Sequence, residues 1–435
     1  MCVALLSSLI LHPSSFAFAS DWPAFLGPTG NSVSPEKGLK TPWPKEGPKI
    51  LWQRELGIGY AMPTISRGKL YHVERVGDTV RIICMTADTG KELWTFEYPT
   101  DYRDRYNYNG GPRGCPIVDG DLVFVHGVEG MLHCLNAENG KLVWKLDTKK
   151  EFGFAQNFFG VGSTPVVEKD LLIVQIGGQP PGADVTDFRK AANMGTGVVA
   201  FEKTTGKIRY KVGDELASYS TPTLATIHGR RWCFVFARGG LLAFDPATGK
   251  EDFHYPWRAD ILESVNASDP VVIGDRVFIS ETYGPGSSLL RVKSGGYDVL
   301  WSDADKTIRN KSMQCHWNTP IEADGYLYGC SGRHDSNAEL RCIELATGKV
   351  QWSVPSLTRS SLLMVDGHFI CLSEDGVLRL LRVNPKKFDV VSEIEFLDRK
   401  ENPLLRSPCW AAPILANGRL YIRGDNRLLC LEAMR

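Results

Sequence analysis

Aromatic and forked side chains gather in a few stretches of this chain, and together they suit recognition of flat or sugar-like ligands. Residues 98–114, YPTDYRDRYNYNGGPRG, interleave Tyr98, Tyr102, Tyr106 and Tyr108 with Asp and Arg and contain Arg113. Residues 149–163, KKEFGFAQNFFGVGS, set Phe152, Phe154, Phe158 and Phe159 around Gln156 and Asn157. Residues 177–197 form a long polar insertion, and loops of this length are usually functional or disordered. Farther along stand Arg238, Asn266, Glu281, Tyr283, Cys315-His316-Trp317-Asn318, Arg333, Arg406, Trp410 and Arg423. Rings stack and guanidinium forks donate in pairs. The expected ligand-binding set is therefore Arg113, Asn157, Arg238, Glu281, His316, Trp317, Arg333 and Trp410. The structural alternative is that these groups plug a channel and pair with one another. His334-Asp335 has the residue types of a base and its orienter, but neighbours on a strand point to opposite faces. No His-Glu-x-x-His and no paired Cys-x-x-Cys occurs, so no metal ligand and no catalytic residue is assigned.

The elements that must position these residues come from a repeat. A phrase of apolar strand, Asp-Ala-x-Thr-Gly-Lys turn and second strand ending in Trp recurs at roughly 50-residue spacing. Copies are ICMTADTGKELW, LHCLNAENGKLVW, VVAFEKTTGKIRY, LLAFDPATGKEDFHY and LRCIELATGKVQW, closing on Trp94, Trp144, Tyr210, Tyr255 and Trp352. The Asp or Asn caps the turn and Gly supplies positive φ. Each copy follows a second phrase: Pro, an apolar run, an Asp/Gly turn and an alternating run, as in PIVDGDLVFV from Pro116. That is a hairpin. Two hairpins make a four-stranded unit, and eight units repeated radially make an all-β, eight-bladed β-propeller of antiparallel blades. The eighth unit, from Pro413, lacks its last strand, while KILWQREL at 49–56 carries a spare one with Trp52. The N-terminal strand is expected to complete blade 8 and close the ring, leaving no open edge.

The Ala-x-x-Thr-Gly-x-x-x-Trp repeat resembles that of the PQQ-like, or tryptophan-docking, eight-bladed propellers. That family includes quinoprotein alcohol dehydrogenases and the propeller subunit of the outer-membrane β-barrel assembly machinery. The opening DWPAFLGPTGNSVSPEKGLKTPWPKEGPKILWQRELG also looks like the start of secreted planctomycete-type members. The resemblance covers about residues 21–435. It implies that Trp94, Trp144, Trp301 and Trp352, with Tyr210 and Tyr255 as substitutes, dock between blades. The dehydrogenases also carry vicinal cysteines over the quinone, acidic and amide ligands for Ca²⁺, and in many cases a Cys-x-x-Cys-His haem motif. This chain has neither a Cys-Cys pair nor Cys-x-x-Cys-His. No cofactor is expected, with PQQ plus Ca²⁺ as the alternative.

Fifty basic and 50 acidic residues leave no net charge, so nothing favours nucleic acid. No stretch after residue 20 is apolar enough to span a bilayer as a helix. Residues 1–20 are uncharged and apolar, with Ala17-Phe18-Ala19 before Asp21, the pattern of a secretory signal. The expected organisation is a signal at 1–20, an N-terminal extension at 21–48 and a propeller at 49–435, exported to the periplasm or beyond. Cys84, Cys134, Cys342 and Cys430 share one repeat position, where Ala200 and Ala243 stand in other blades. They are expected to be buried thiols, not bridges. The function expected is a scaffold that binds a protein or glycan through its loops. The alternatives are a PQQ-dependent or other redox enzyme, and a hydrolase or other enzyme with a funnel site.

Overall fold

A computed structural model describes residues 20–153, 158–180 and 194–435. Residues 1–19 of the expected signal, the expected ligand-binding residue Asn157 and most of the 177–197 insertion lie outside the described residues. Eight four-stranded antiparallel sheets form the ring. Blade 1 runs Thr64–Ser66, Lys69–Val76, Thr79–Thr86 and Glu92–Pro99 from the axis outward. Blades 2 to 7 follow at 117–147, 166–212, 223–256, 271–302, 321–355 and 360–394. Blade 8 comprises Ile414–Ala416, Arg419–Arg423 and Arg427–Glu432, with Ile50–Glu55 outermost. The N-terminal strand pairs antiparallel with the C-terminal one, Trp52 opposite Cys430, so the ring closes as the repeat requires.

The repeat residues form the seams between blades. In blade 1, Trp94 lies against Gly140 of the next blade and its indole N–H donates to Ala137 O at 3.1 Å. A Cβ on Gly140 would sit 2.5 Å from that ring, and its φ is +71°. The turn glycine is thus required twice, for its backbone conformation and for the absence of a side chain. The pattern repeats at Trp52 on Gly90, Trp144 on Gly206, Tyr210 on Gly249 and Trp301 on Gly348. Burying each ring contributes roughly 2–3 kcal/mol. Two seams differ. In blade 4 the strand register places Phe253, not Tyr255, opposite Ala243. Tyr255 falls two residues too late to dock, and instead its hydroxyl meets Ser288 Oγ at 3.1 Å. Between blades 7 and 8 the docked side chain is Ile394, set on Gly47 of the N-terminal extension. The covalent chain is broken at this turn of blade 8, and residues 43–47 rebuild it with Trp43 buried.

The extension does more than supply a strand. From Ser20 it crosses the face opposite the loops between blades, as a strap over the axial channel. Trp22 is 1% exposed and exchanges two backbone hydrogen bonds with Ile65 of blade 1. Pro23 O accepts from Val118 N of blade 2, and Val33–Ser34 pairs parallel to Ser360–Val365 of blade 7. Gly27 takes a positive φ, and the Trp22 ring packs within 2.8 Å of where a Cβ would stand.

All ten cysteines after residue 20 are buried free thiols. Cys84, Cys134, Cys342 and Cys430 each oppose their blade's docking Trp, as Ala200 opposes Tyr210. Burial pushes these thiols up, Cys84 and Cys342 to about 11 and Cys134 and Cys430 to about 12, so the reactive thiolate is disfavoured at neutral pH.

Two outcomes are expected. Deleting residues 21–57 removes the strap and the outer strand of blade 8, and should convert a monomer into aggregates on size exclusion. A monomer with unchanged melting would contradict ring closure. Alanine at any of the four repeat cysteines should cost about 1 kcal/mol or less in denaturant melts, and mass spectrometry should find none of them in a disulfide.

Candidate functional site

The strands run between two faces, and the junctions from each outer strand to the next inner strand lie on the face opposite the strap. The turns between the two middle strands of each blade share that face. These loops converge on an axial cavity of about 220 Å³, closed beneath by Phe25, Leu26 and Ser32 of the strap. Tyr60, Tyr108, Phe159 and Tyr219 line one side of it, from the junctions around blades 1 to 4. Tyr283, His316, Trp317 and Trp410 line the other, from blades 5 to 8. Arg113 and Arg359 lie among these rings.

The rings touch in sequence. Trp317 and Trp410 centroids are 5.0 Å apart, Trp410 is 4.7 Å from Tyr60 and 5.8 Å from Tyr108, and Tyr108 is 5.5 Å from Phe159. Arginines cover them. Arg359 stands 4.6 Å over Trp317 and 5.3 Å over Trp410, and Arg113 stands 5.1 Å over Tyr60. Each is aimed by a carboxylate. Arg359 makes two hydrogen bonds to Glu374, which also accepts the Trp410 indole N–H at 2.8 Å. Arg113 donates to Asp104 Oδ2 at 2.7 Å and to Phe159 O at 2.7 Å. Such charge-assisted bonds in a half-buried setting fix the orientation of the rings.

Of the expected site residues, Arg113, His316, Trp317 and Trp410 are brought together at the cavity. Arg238 and Glu281 are 1% exposed and serve the loops themselves. Arg238 donates to Leu262 O at 2.6 Å and lies 5.0 Å over Phe158. Glu281 accepts from the backbone N–H of Tyr283 at 2.6 Å and of Gly284 at 2.9 Å. Burial raises its carboxyl to about 7. Arg333 sits beside the cavity, 4.5 Å over the Tyr283 ring, and its guanidinium has no ion pair or hydrogen bond among the described residues. Asn157 lies outside the described residues.

Several other residues have structural roles. Arg423 is buried and donates to Gly59 O and Ala61 O, both at 2.7 Å, holding Tyr60 between them. Asn266 is fully buried and clamps Ala237 O at 2.6 Å. Arg406 pairs with Asp425 at the surface. Tyr98 belongs to the outer strand of blade 1 and packs on His133, not in the loop. His334 and Asp335 are exposed, and no hydrogen bond joins their side chains among the described residues. Sequence reasoning missed Tyr60, Tyr219, Arg359, Glu374 and the strap floor. Tyr60, Tyr219 and Arg359 stand in ordinary-length junctions, so only their equivalence to the junctions carrying Arg113 and Trp410 could have flagged them.

His316 stands in the cavity wall. Its Nε2 lies 3.1 Å from the Tyr283 hydroxyl, while Nδ1 has no partner. Burial, then the charges of Arg359 and Arg333 nearby, lower it to about 3. On the adjoining residues, Trp317 Nε1 and Asn318 Oδ1 likewise lack partners among the described residues. Among the described residues no group of three or more His, Cys, Asp or Glu could hold a metal ion. Glu374 is taken by Arg359 and Trp410, and Glu281 by backbone. This donor set does not fit Ca²⁺ beside a quinone, which needs several free oxygen ligands.

The folded-state value of His316 lies below the ordinary one, so the fold favours its neutral form. Its contribution is therefore complete above about pH 6.5 and is lost as pH falls toward 3. Melting temperature should fall over that window, and less steeply in His316→Gln. An equal slope in the two proteins would show that His316 is not held neutral.

Comparisons with known proteins follow the fold. A family model described as outer membrane protein assembly factor BamB matches residues 78–354. The quinoprotein alcohol dehydrogenase PedH of Pseudomonas putida is 29% identical over 123 residues, covering 27% of this chain and only 18% of that protein's length. Among solved structures, BamB from Moraxella catarrhalis superposes with a TM-score of 0.57 at 14% identity, over 88% of this chain and 97% of that one. The quinohemoprotein alcohol dehydrogenase from Comamonas testosteroni gives 0.61 at 14% identity, over 95% and 80%. These likenesses show the fold.

Proposed function

We propose, for a chain that belongs to the family of PQQ-like propeller repeat proteins described as outer membrane protein assembly factor BamB, that the loop face is a binding site and the protein an exported interaction scaffold for a protein or glycan. One observation carries this reading. Junctions all around the ring send rings and guanidiniums to one axial cavity, while the repeat positions are devoted to packing. At the rim Tyr106 and Tyr108 remain 51% and 47% exposed, large rings that the fold itself leaves uncovered.

The cavity's size narrows the occupant. Pockets for drug-sized ligands span about 300–1,000 Å³, whereas this one is about 220 Å³. It admits one protruding group, such as a sugar ring or an aromatic side chain, and the surrounding face meets the rest of the partner. Aromatic walls stack on such a group. Beside it Arg333, stacked over Tyr283, supplies a guanidinium with no ion pair or hydrogen bond among the described residues. The family description suggests one partner class, segments of outer membrane proteins.

The test has two arms, a glycan array and peptides from unfolded outer membrane proteins. Trp317→Ala and Trp410→Ala should each weaken retention about 30-fold, the effect of losing a hot-spot ring worth about 2 kcal/mol, with the fold intact. Trp144→Ala should instead lower stability by about 2–3 kcal/mol, the worth of burying that ring, and leave affinity unchanged. A partner whose binding ignores both loop tryptophans would place the site elsewhere. Oxidation of alcohols or sugars on addition of PQQ and Ca²⁺ would overturn the scaffold reading.

A further inference from the structure

We propose that the chain is cut between Ala19 and Ser20, and that the α-ammonium so created pairs with the buried carboxylate of Glu36, locking the strap across the closing seam of the ring. Glu36 is 3% exposed, yet among the described residues no Lys, Arg or His pairs with it. Among the described residues its oxygens accept from backbone alone: Oε1 from Ser20 N at 3.2 Å and Oε2 from Gly418 N at 2.9 Å. A buried carboxylate without a cation is costly. In an uncut chain the Ser20 nitrogen is a neutral amide. Hydrolysis adds water across the Ala19–Ser20 bond, leaving a carboxylate on Ala19 and an ammonium on Ser20. An endopeptidase that removes export signals would catalyse the step. The counter-charge then appears on the atom that already touches Glu36.

The geometry also fixes which bond. Ala17-Phe18-Ala19 is an A-x-A cleavage pattern. A cut one residue later would discard the nitrogen that meets Glu36. The new terminus would be Asp21, whose carboxylate is already engaged by Arg67 N at 2.8 Å and Asn417 Nδ2 at 3.1 Å. Ser20 itself is anchored, since its carbonyl accepts from Asn417 N at 3.2 Å. Residues 20–22 thus tie the first hairpin of blade 8 to that of blade 1, where the two chain ends close the ring. Processing thus adds a charged tie across the seam that the Ile50–Glu55 strand closes.

The inference rests on the export-signal reading, and the test separates the two. The full chain is expressed in an exporting host and the purified protein's N-terminus is read by mass spectrometry. Ser20 is the expected first residue. Asp21 would overturn this inference alone, and an intact residue 1 on exported protein would overturn the signal reading with it. The Ser20-starting protein is then compared with its α-acetylated form, each with Glu36 and with Glu36→Gln. Acetylation should speed unfolding about 5- to 10-fold with Glu36 and leave the Gln pair alike. Equal effects in both backgrounds would overturn the pairing. Should Glu36→Gln not fold, the pH dependence of α-amine methylation in the unmodified protein decides. A free α-amine titrates near 7.7–8.0. The paired one should titrate higher, so the stabilisation is present below about pH 8 and is lost as pH rises through the raised value. An ordinary value would refute the pair.

Discussion

An indole lying flat on a glycine is the contact on which the ring depends. Each blade alone is a small twisted sheet with two apolar faces, and four strands cannot bury both. Docking Trp94 on Gly140, and its equivalents around the ring, turns eight marginal sheets into one continuous core. The indole N–H adds direction, because Ala137 O accepts from both Trp94 at 3.1 Å and the Tyr71 hydroxyl at 3.2 Å. The Trp52 and Tyr421 donors converge on Ala87 O in the same way across the closing seam. One carbonyl receiving two donors from the neighbouring blade sets the angle between sheets as well as their distance. The glycine makes this possible, and so it recurs with the tryptophan in the sequence.

With packing handled by outer strands and turns, the junction loops are released from scaffold duty. Even so, they are not left to find their own shape. Buried charges from the middle turns hold them: Arg423 grips the backbone on both sides of Tyr60, Arg238 reaches Leu262, and Glu281 gathers the amides of its own turn. Arg359 and Glu374 aim the tryptophan pair. Two roles that look alike in sequence, a guanidinium that faces the cavity and one that holds a loop, are separated here by what each fork reaches. The expectation that Arg113, Arg238 and Arg333 act alike thus divides into Arg113 facing the cavity, Arg238 holding a loop and Arg333 with a ring beneath it and no anion among the described residues.

Much of the fold was legible because a repeat averages out local ambiguity. Blade number, strand order and the closing strand follow from the spacing of Pro, Thr-Gly-Lys and Trp. The failures come where a copy is degenerate. Tyr255 was expected to dock as the residue closing its copy of the repeat, but docking follows the offset from the turn glycine, and that offset selects Phe253. The seam on Ile394 has no Trp to announce it, and its glycine, Gly47, lies hundreds of residues away in sequence. The cavity was half legible. Arg113, His316, Trp317 and Trp410 stood out by type, whereas Tyr60 and Arg359 are single residues in short junctions, and Phe25 and Leu26 reach the axis only because the strap folds under it.

That last point ties recognition to assembly. Because the floor of the cavity belongs to the segment that closes the ring, a molecule seated there contacts both ends of the chain's architecture at once. By mass action an occupant present at a hundred times its dissociation constant would add about 2.7 kcal/mol to the closed form. Occupancy would thus act as a second fastener on the N-terminus, and a ring still open at blade 8 would have no complete pocket to offer.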